Sequence, residues 1–185
     1  KSTKVTSMSY LFDGCLSLKK VPELDYSKNK AFEGMFANCK SLSSIPPIDT
    51  SKATGPMYYM FKGCTSLTGV PLLDTHNVNN TLEMFKGCVS LKSVPLLNTT
   101  SVTNMGSMFE DCESLTSIPL FDTTNVTSIS YAFRNCYNVQ SGALSLYNQV
   151  STQASIPGHY NTFRNCGVSS QAGSAELAQI PSDWK

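Results

Sequence analysis

Residues 84–107 read MFKGCVSLKSVPLLNTTSVTNMGS, and residues 108–131 follow without a gap as MFEDCESLTSIPLFDTTNVTSISY. The two stretches align position for position. Phe85 matches Phe109, Cys88 matches Cys112, Leu91 matches Leu115, Val94-Pro95 matches Ile118-Pro119, Asn98 matches Asp122, and Val102 matches Val126. A unit of 24 residues with apolar anchors at fixed offsets marks a solenoid, whose coils bury a core only by stacking on one another.

Outward from this pair the same unit recurs through most of the chain. Cysteines stand at Cys15, Cys39, Cys64, Cys88, Cys112 and Cys136, with Cys166 further on, and a phenylalanine precedes each by three residues: Phe12, Phe36, Phe61, Phe85, Phe109, Phe133 and Phe163. After each cysteine come Leu18, Leu42, Leu67, Leu91 and Leu115, then a Val or Ile followed by Pro22, Pro46, Pro71, Pro95 or Pro119. Helical repeats need about 33 residues or more per unit, whereas leucine-rich repeats run about 20 to 29 with one short strand each. Apolar spacing of three with β-branched residues suits short extended and turn segments. The prolines forbid a long helix and cut any strand ladder short, because each lacks an N–H donor. The expectation is a repeat solenoid of the right-handed leucine-rich-repeat type. Its parallel strands, two to four residues long and one per coil, would lie near Leu-x-x-Val/Ile, with turns and short helical segments on the other face and a partly helical C-terminal cap.

The seven cysteines follow a period, not a pairing pattern. No Cys-x-x-Cys occurs, so zinc chemistry has no ligand pair, and an odd count argues against a complete disulfide framework. One cysteine per unit reads as a small buried hydrophobe, which predicts a ladder of free thiols at Cys15, Cys39, Cys64, Cys88, Cys112 and Cys136 beside the phenylalanine ladder Phe12 to Phe133. No metal and no cofactor is called for.

These residues resemble a known family, the BspA-like or Treponema-type leucine-rich repeats and the related repeats of bacterial and mycoplasma surface proteins. The resemblance rests on Phe-x-x-Cys-x-x-Leu-x-x-Ile/Val and on the Asp-Thr-Ser/Thr-x-Val-Thr-x-Met segment, and it covers about residues 3–136. Departures from the pattern are Asn29 and Ala53 for Val, Thr81 for Met, and an extra residue near Gly55-Pro56. The resemblance implies a secreted or surface-attached protein that serves adhesion and protein binding, with no catalytic residue in the motif.

The solenoid is read as residues 1–136, beginning in mid-coil, and residues 137–185 as the C-terminal cap of the same domain. Val5, Met8 and Phe12 match the second half of a unit. The expectation there is either further repeats upstream or an N-terminal edge that self-associates, since an uncovered coil presents apolar surface. After Cys136 the rhythm breaks. Ala143, Leu146, Tyr147 and Val150 fall at helical spacing, which predicts a helix over 141–152 covering the last coil. Ile180 and Trp184 would pin the tail.

Composition narrows the function. A net charge of +1 with 15% charged residues lacks the basic excess of nucleic-acid binders. No apolar run approaches the roughly 18 to 20 residues that cross a bilayer, and any export signal or anchor would lie outside this stretch. The charge is uneven, however: residues 1–92 hold 11 Lys and Arg against 7 Asp and Glu, and residues 93–185 hold 3 against 6. This axial dipole favours head-to-tail contact at low salt.

Four sets of residues invite a chemical reading. Asp25, Asp49, Asp74, Asn98 and Asp122 form a column that suggests a cation ladder, but Asp and Asn before Thr or Tyr are better suited to Asx turns, and Asn98 would remove a charge from a calcium site. The chain has two histidines, His76 and His159, and His159 stands seven residues before Cys166; a buried cysteine makes a poor nucleophile. Tyr10, Tyr59 and Tyr131 share one offset, interrupted by Gly34, Glu83 and Ser107, so that a continuous sugar-stacking platform does not form. Finally, Lys19, Lys20, Ser43, Ser44, Thr68, Lys92, Ser93, Thr116 and Ser117 lie between the Leu and Val/Ile anchors and face outward, a flat hydrogen-bonding surface of the kind solenoids use to bind proteins. The leading expectation is a non-enzymatic, extracellular, bacterial cell-surface module that binds protein. A carbohydrate-binding module and a purely architectural spacer are the alternatives.

Overall fold

The computed structural model describes residues 5–185. Successive units wind into stacked coils, and each coil is built mainly from tight turns. In the Met-x-x-Phe-x-x-Cys segment the turns follow one another directly: Leu11 N–H donates to Met8 O, Asp13 N–H to Tyr10 O, Cys15 N–H to Phe12 O and Leu18 N–H to Cys15 O. Two positions of this run, four residues apart, take left-handed φ. One such column is Gly14, Asn38, Gly63, Gly87, Asp111, Asn135 and Asn165, at φ between 58° and 74°. Glycine, asparagine and aspartate are the residues that adopt this conformation most readily. A second column, with Tyr10, Tyr59, Glu83, Ser107, Tyr131 and Asn161 at φ 52° to 61°, places bulkier residues there. Ring and carboxylate contacts described below hold several of them.

The turns leave every other N–H pointing along the solenoid axis, and these bond the next coil. Glu83, Phe85 and Gly87 donate to Gly106, Met108 and Glu110 at 2.8 to 3.0 Å; Ser107, Phe109 and Asp111 donate to Ser130, Ala132 and Arg134 at 2.8 to 2.9 Å. Parallel pairing is present as isolated bridges, among them Asn80 with Asn104 and Asn104 with Ser128.

This corrects the expected strand position. At the Leu-x-x-Val/Ile site the coils share one backbone bond each, such as Thr116 N–H to Lys92 O at 3.1 Å and Lys92 N–H to Thr68 O at 3.2 Å. Among the described residues the pairing there reaches a bridge only at Ser117 with Ser141. The proline two or three positions on removes the donor that would extend the ladder. The turn segment, which has no proline, carries the pairing instead.

The core runs unbroken from Met8 to Trp184. Its spine is the stack of Phe12, Phe36, Phe61, Phe85, Phe109, Phe133 and Phe163, with centroids 5.2 to 6.0 Å apart and rings within 13° of parallel. At such centroid distances near-parallel rings are offset, the favourable arrangement. Beside it stands the thiol column, Cys39 to Cys166 buried. These thiols also act as donors. Cys39, Cys64, Cys88, Cys112 and Cys136 each point Sγ at the carbonyl of the phenylalanine one coil back, Phe12, Phe36, Phe61, Phe85 and Phe109, at 3.0 to 3.1 Å. Burial pushes the Cys64 and Cys166 thiols up to about 12 and those of Cys88, Cys112 and Cys136 well above their ordinary value. Cys15, on the first described coil, is exposed, so among the described residues the buried column starts at Cys39.

The irregular positions are accommodated locally. Asn29 is fully buried and donates from Nδ2 to Ala31 O at 3.1 Å. Thr81 is buried with its hydroxyl 3.3 Å from Asn104 O.

At the C-terminal end α1 spans Ala143–Ser151, within the expected 141–152. It starts late because Gly142 takes φ 100°, and a Cβ there would lie 2.3 Å from Ile118 O. Ala143, Leu146 and Val150 are its buried face. The periodicity gave no sign of α2, Gln171–Ala178, whose only buried residue is Gly173. A Cβ on Gly173 would meet Val139 O at 2.0 Å, so glycine lets the helix lie directly on the backbone of the coil. Glu176 of α2 then accepts from Gly142 N–H at 3.3 Å and Leu144 N–H at 3.1 Å. It caps α1, whose own N-cap residue offers no side-chain bond. Ile180 and Trp184 are buried. Phe163 N–H donates to Trp184 O at 2.9 Å, and the indole stacks on Phe163 and on His159 at 6.2 and 4.1 Å. The tail thus stands in for a further coil.

Candidate functional site

The flank that runs from Leu-x-x-Val/Ile through Pro to the Asx column carries three exposed rows. In the first, Lys19, Lys20, Ser43, Ser44, Thr68, Lys92, Ser93 and Thr116 are exposed and Ser117 is half-buried. Ser117 pairs with Ser141 at the capped end, which withdraws it from the outward-facing set. Two hydroxyls of this row are spent within the solenoid: Thr68 Oγ1 donates to Ser43 O and Thr116 Oγ1 to Lys92 O, both at 3.2 Å. Lys19, Lys20, Lys92 and the serines remain as the groups a partner can address.

The second row was not anticipated. Leu72, Leu96 and Leu120 are 70%, 61% and 56% exposed, in register on three adjacent coils. Sequence contained a signal for them: Leu72-Leu73, Leu96-Leu97 and Leu120-Phe121 are apolar doublets in extended chain, where neighbouring side chains point to opposite faces. Leu73, Leu97 and Phe121 take the core, at 2% exposure or less, which leaves their partners outside.

The third row is the Asx column. Asp25, Asp49, Asp74, Asn98 and Asp122 each accept at Oδ1 from the N–H two residues on, at 2.9 to 3.2 Å. Bonds from Ser51, His76 and Thr124 hold the carboxyls of Asp49, Asp74 and Asp122 below their usual range. His76 sits in the turn, Nδ1 2.6 Å from Asp74 Oδ1. Among the described residues no cluster of three or more His, Cys, Asp or Glu is placed to hold a metal ion. The threonines next in sequence turn inward: Thr75 and Thr99 donate to Asn98 O and Asp122 O at 2.8 Å, and Thr123 Oγ1 receives the amides of Gln149 and Gln153 from the cap.

On the opposite flank lie the tyrosines and a line of ion pairs. Lys62 reaches Glu83 at 2.6 Å and Lys86 reaches Glu110 at 2.9 Å, with Arg134 on the other oxygen of Glu110. Glu110 is buried, and despite the opposing effect of desolvation Lys86 and its other partners hold its carboxyl low. Lys62 and Arg134 also cover the rings of Tyr59 and Tyr131 at 4.8 and 4.9 Å. Tyr58 meets Tyr59, and Tyr160 meets Tyr131, edge-on. One face each of the Tyr59 and Tyr131 rings is therefore already covered, while Tyr10 and Tyr160 stay exposed. His159 contacts Pro157 O, Trp184 and Asp183, while Cys166 is a buried thiol of high pKa, a poor source of thiolate.

Stacked short coils joined by parallel bridges and hydrogen-bond ladders around a phenylalanine spine make this a leucine-rich-repeat solenoid of the BspA-like type. Two solved structures share the fold. A leucine-rich-repeat protein of T. pallidum aligns with TM-score 0.63 and 23% identity over 92% of this chain and 74% of its own. One from Bacteroides ovatus aligns with TM-score 0.55 and 24% identity over 94% of this chain and 43% of its own. The chain belongs to the family described as Mycoplasma protein of unknown function, DUF285, whose pattern matches residues 1–96 and 55–167. No curated protein matches it. Among the described residues no helix is long and apolar enough to cross a membrane.

Proposed function

We propose that this chain is a non-enzymatic binding and adhesion module, secreted or displayed on a bacterial cell surface, that recognises protein ligands through the exposed flank of its solenoid. The observation that carries the reading is the flank itself. Polar, apolar and acidic side chains project in straight rows from a backbone pinned coil to coil. Such a platform pre-organises many contacts at little cost in ordering. Leucine-rich-repeat architecture commonly serves protein binding, and residues 137–185 act as the cap of the same unit.

The test is a binding screen of purified surface and matrix proteins by interferometry, with Lys19→Glu/Lys20→Glu/Lys92→Glu as the comparison. Loss of a captured ligand in the variant supports recognition through the polar row. Retention of every ligand by it removes that row from the site, and capture of glycans alone on an array points to the carbohydrate reading instead. Surface labelling of intact cells checks the location.

The first described coil offers a second mode of contact. Leu11 is 49% exposed, whereas Met35, Met60 and Met84, at the same offset in the next coils, are fully buried, and Leu16 beside it is 53% exposed. Self-association of the 185-residue chain through this edge is the expectation. Scattering at low and physiological salt tests it, and a monomer at all concentrations refutes it.

A further inference from the structure

We infer that the leucine row and the Asx column together seat a cationic amphipathic α-helix of the partner protein. The inference rests on the binding-module reading and names what that module takes. Leu72, Leu96 and Leu120 form an apolar stripe on three successive coils, and contiguous exposed apolar surface of this kind marks an interaction site on a soluble protein. Beside it runs a shallow groove lined by Ile48, Thr50, Leu72, Leu96 and Asn98, with Asp49 and Asp74 along its edge.

Charge selects the partner. Asp49, Asp74 and Asp122 flank the stripe, and the turn bonds they accept from the N–H two residues on all fall on Oδ1. Lys52 stands three residues after Asp49 and Lys92 four before Leu96, in the row on the far side of the leucines, so the acidic edge is the Asx column itself, with Asp49, Asp74 and Asp122. A partner that is apolar along one edge and basic along the next is the complement. A second copy of this chain would bring its own carboxylates.

Register selects the conformation. Phenylalanine centroids on adjacent coils lie 5.2 to 5.6 Å apart, and because the rings are offset the coils themselves are closer, near the ~4.8 Å of hydrogen-bonded neighbouring chains. Apolar residues alternating three and four apart on a helix advance about 5.3 Å per contact, at 1.5 Å rise per residue. One such residue therefore meets each leucine in turn. An extended strand presents a side chain to one face every 6.6 Å or so and drifts out of step within three coils.

The probe is a synthetic helical peptide with leucine at its a and d positions and lysine on either side, compared with a version in which every lysine is glutamate. Binding to the full chain is read by fluorescence anisotropy at low and physiological salt. The lysine peptide is expected to bind and the glutamate peptide to fail. Leu72→Ser/Leu96→Ser/Leu120→Ser abolishes binding. Asp49→Asn/Asp74→Asn/Asp122→Asn weakens it about tenfold and flattens its salt dependence, a loss of the size expected when three exposed charge pairs are removed. Both triple variants keep the thermal midpoint within a few degrees, since the leucines are exposed and Asn98 already serves the same turn. No binding of the lysine peptide up to millimolar concentration overturns the inference, as does equal binding of both peptides or indifference to both variants. Dimerisation abolished by the leucine variant overturns it in favour of a second copy. Ligands lost in the Lys19/Lys20/Lys92 variant but kept by the leucine variant leave the module reading standing and sink this one.

Discussion

Alkali is expected to unfold this protein abruptly, because its core contains thiols that ionise only outside it. Six cysteines, Cys39 through Cys166, are buried to 1% exposure or less, and burial raises all of them, Cys39 to about 11 and Cys64 and Cys166 to about 12. In the unfolded chain a thiol titrates near pH 8.5, at about the reference value. Above that pH the unfolded state has lost protons that the folded state still holds, so stability falls as pH rises, by about 1.4 kcal/mol per unit for each thiol. Below it the effect vanishes. One unit above the unfolded value the six thiols together cost about 8 kcal/mol, comparable with the 5 to 15 kcal/mol that stabilises a typical domain. Unfolding is therefore expected between about pH 9 and pH 10.5, released in one step with several protons. Urea titrations followed by circular dichroism at half-unit steps from neutral pH give the slope, and thiolate absorbance counts the ionised groups. Cys112→Ala lowers the neutral-pH stability by about 2 kcal/mol through the lost volume and the lost bond to Phe85 O, and makes the alkaline slope shallower by one thiol. Stability that stays flat to pH 10, or a slope indifferent to that substitution, refutes the reasoning.

Three further outcomes follow from the same structure. In native buffer at neutral pH an alkylating reagent is expected to modify Cys15, the exposed thiol, well before the others, and peptide mass spectrometry reads the order; fast labelling of Cys88 would contradict the buried column. Gly142→Ala places a side chain at φ 100° against Ile118 O and should cost more than about 2 kcal/mol, whereas Glu176→Ala, which uncaps α1, costs about 1 kcal/mol; thermal denaturation ranks the two. Trp184→Ala removes the tail from the Phe163 stack and should cost about 3 to 5 kcal/mol, with hydrogen exchange accelerated first in the coil around Phe163 and Cys166 and unchanged near Phe61.

Several of these features can be read directly from one unit. Phe-x-x-Cys-x-x-Leu recurs with a period too short for paired helices, and the side chains in the stack are those that recur. The Asx turns are equally local, since Asp49 and Asp122 reach a donor only two residues away. Other features depend on which groups the winding brings together. The strand position was misjudged because the β-branched residues of Leu-x-x-Val/Ile announced extended chain, while the inter-coil N–H groups belong to the turns before each cysteine. The cue lay in Gly14, Asn38, Gly63, Gly87 and Asp111, residues suited to left-handed φ, one position ahead of each cysteine.

The amino-acid order determines the coil length, the phenylalanine and cysteine columns and the Asx corners, because each follows from side-chain size and turn chemistry within about 24 residues. Tertiary structure alone decides the rest. Five thiols, Cys39 to Cys136, each find a carbonyl one coil away, Glu176 caps a helix 32 residues earlier in the chain, and Trp184 closes the ring stack. Leucines that look like core in sequence stand in solvent because the second residue of each apolar doublet has already filled the interior. These are pairings between distant residues, and no local propensity encodes the stacking that makes them neighbours.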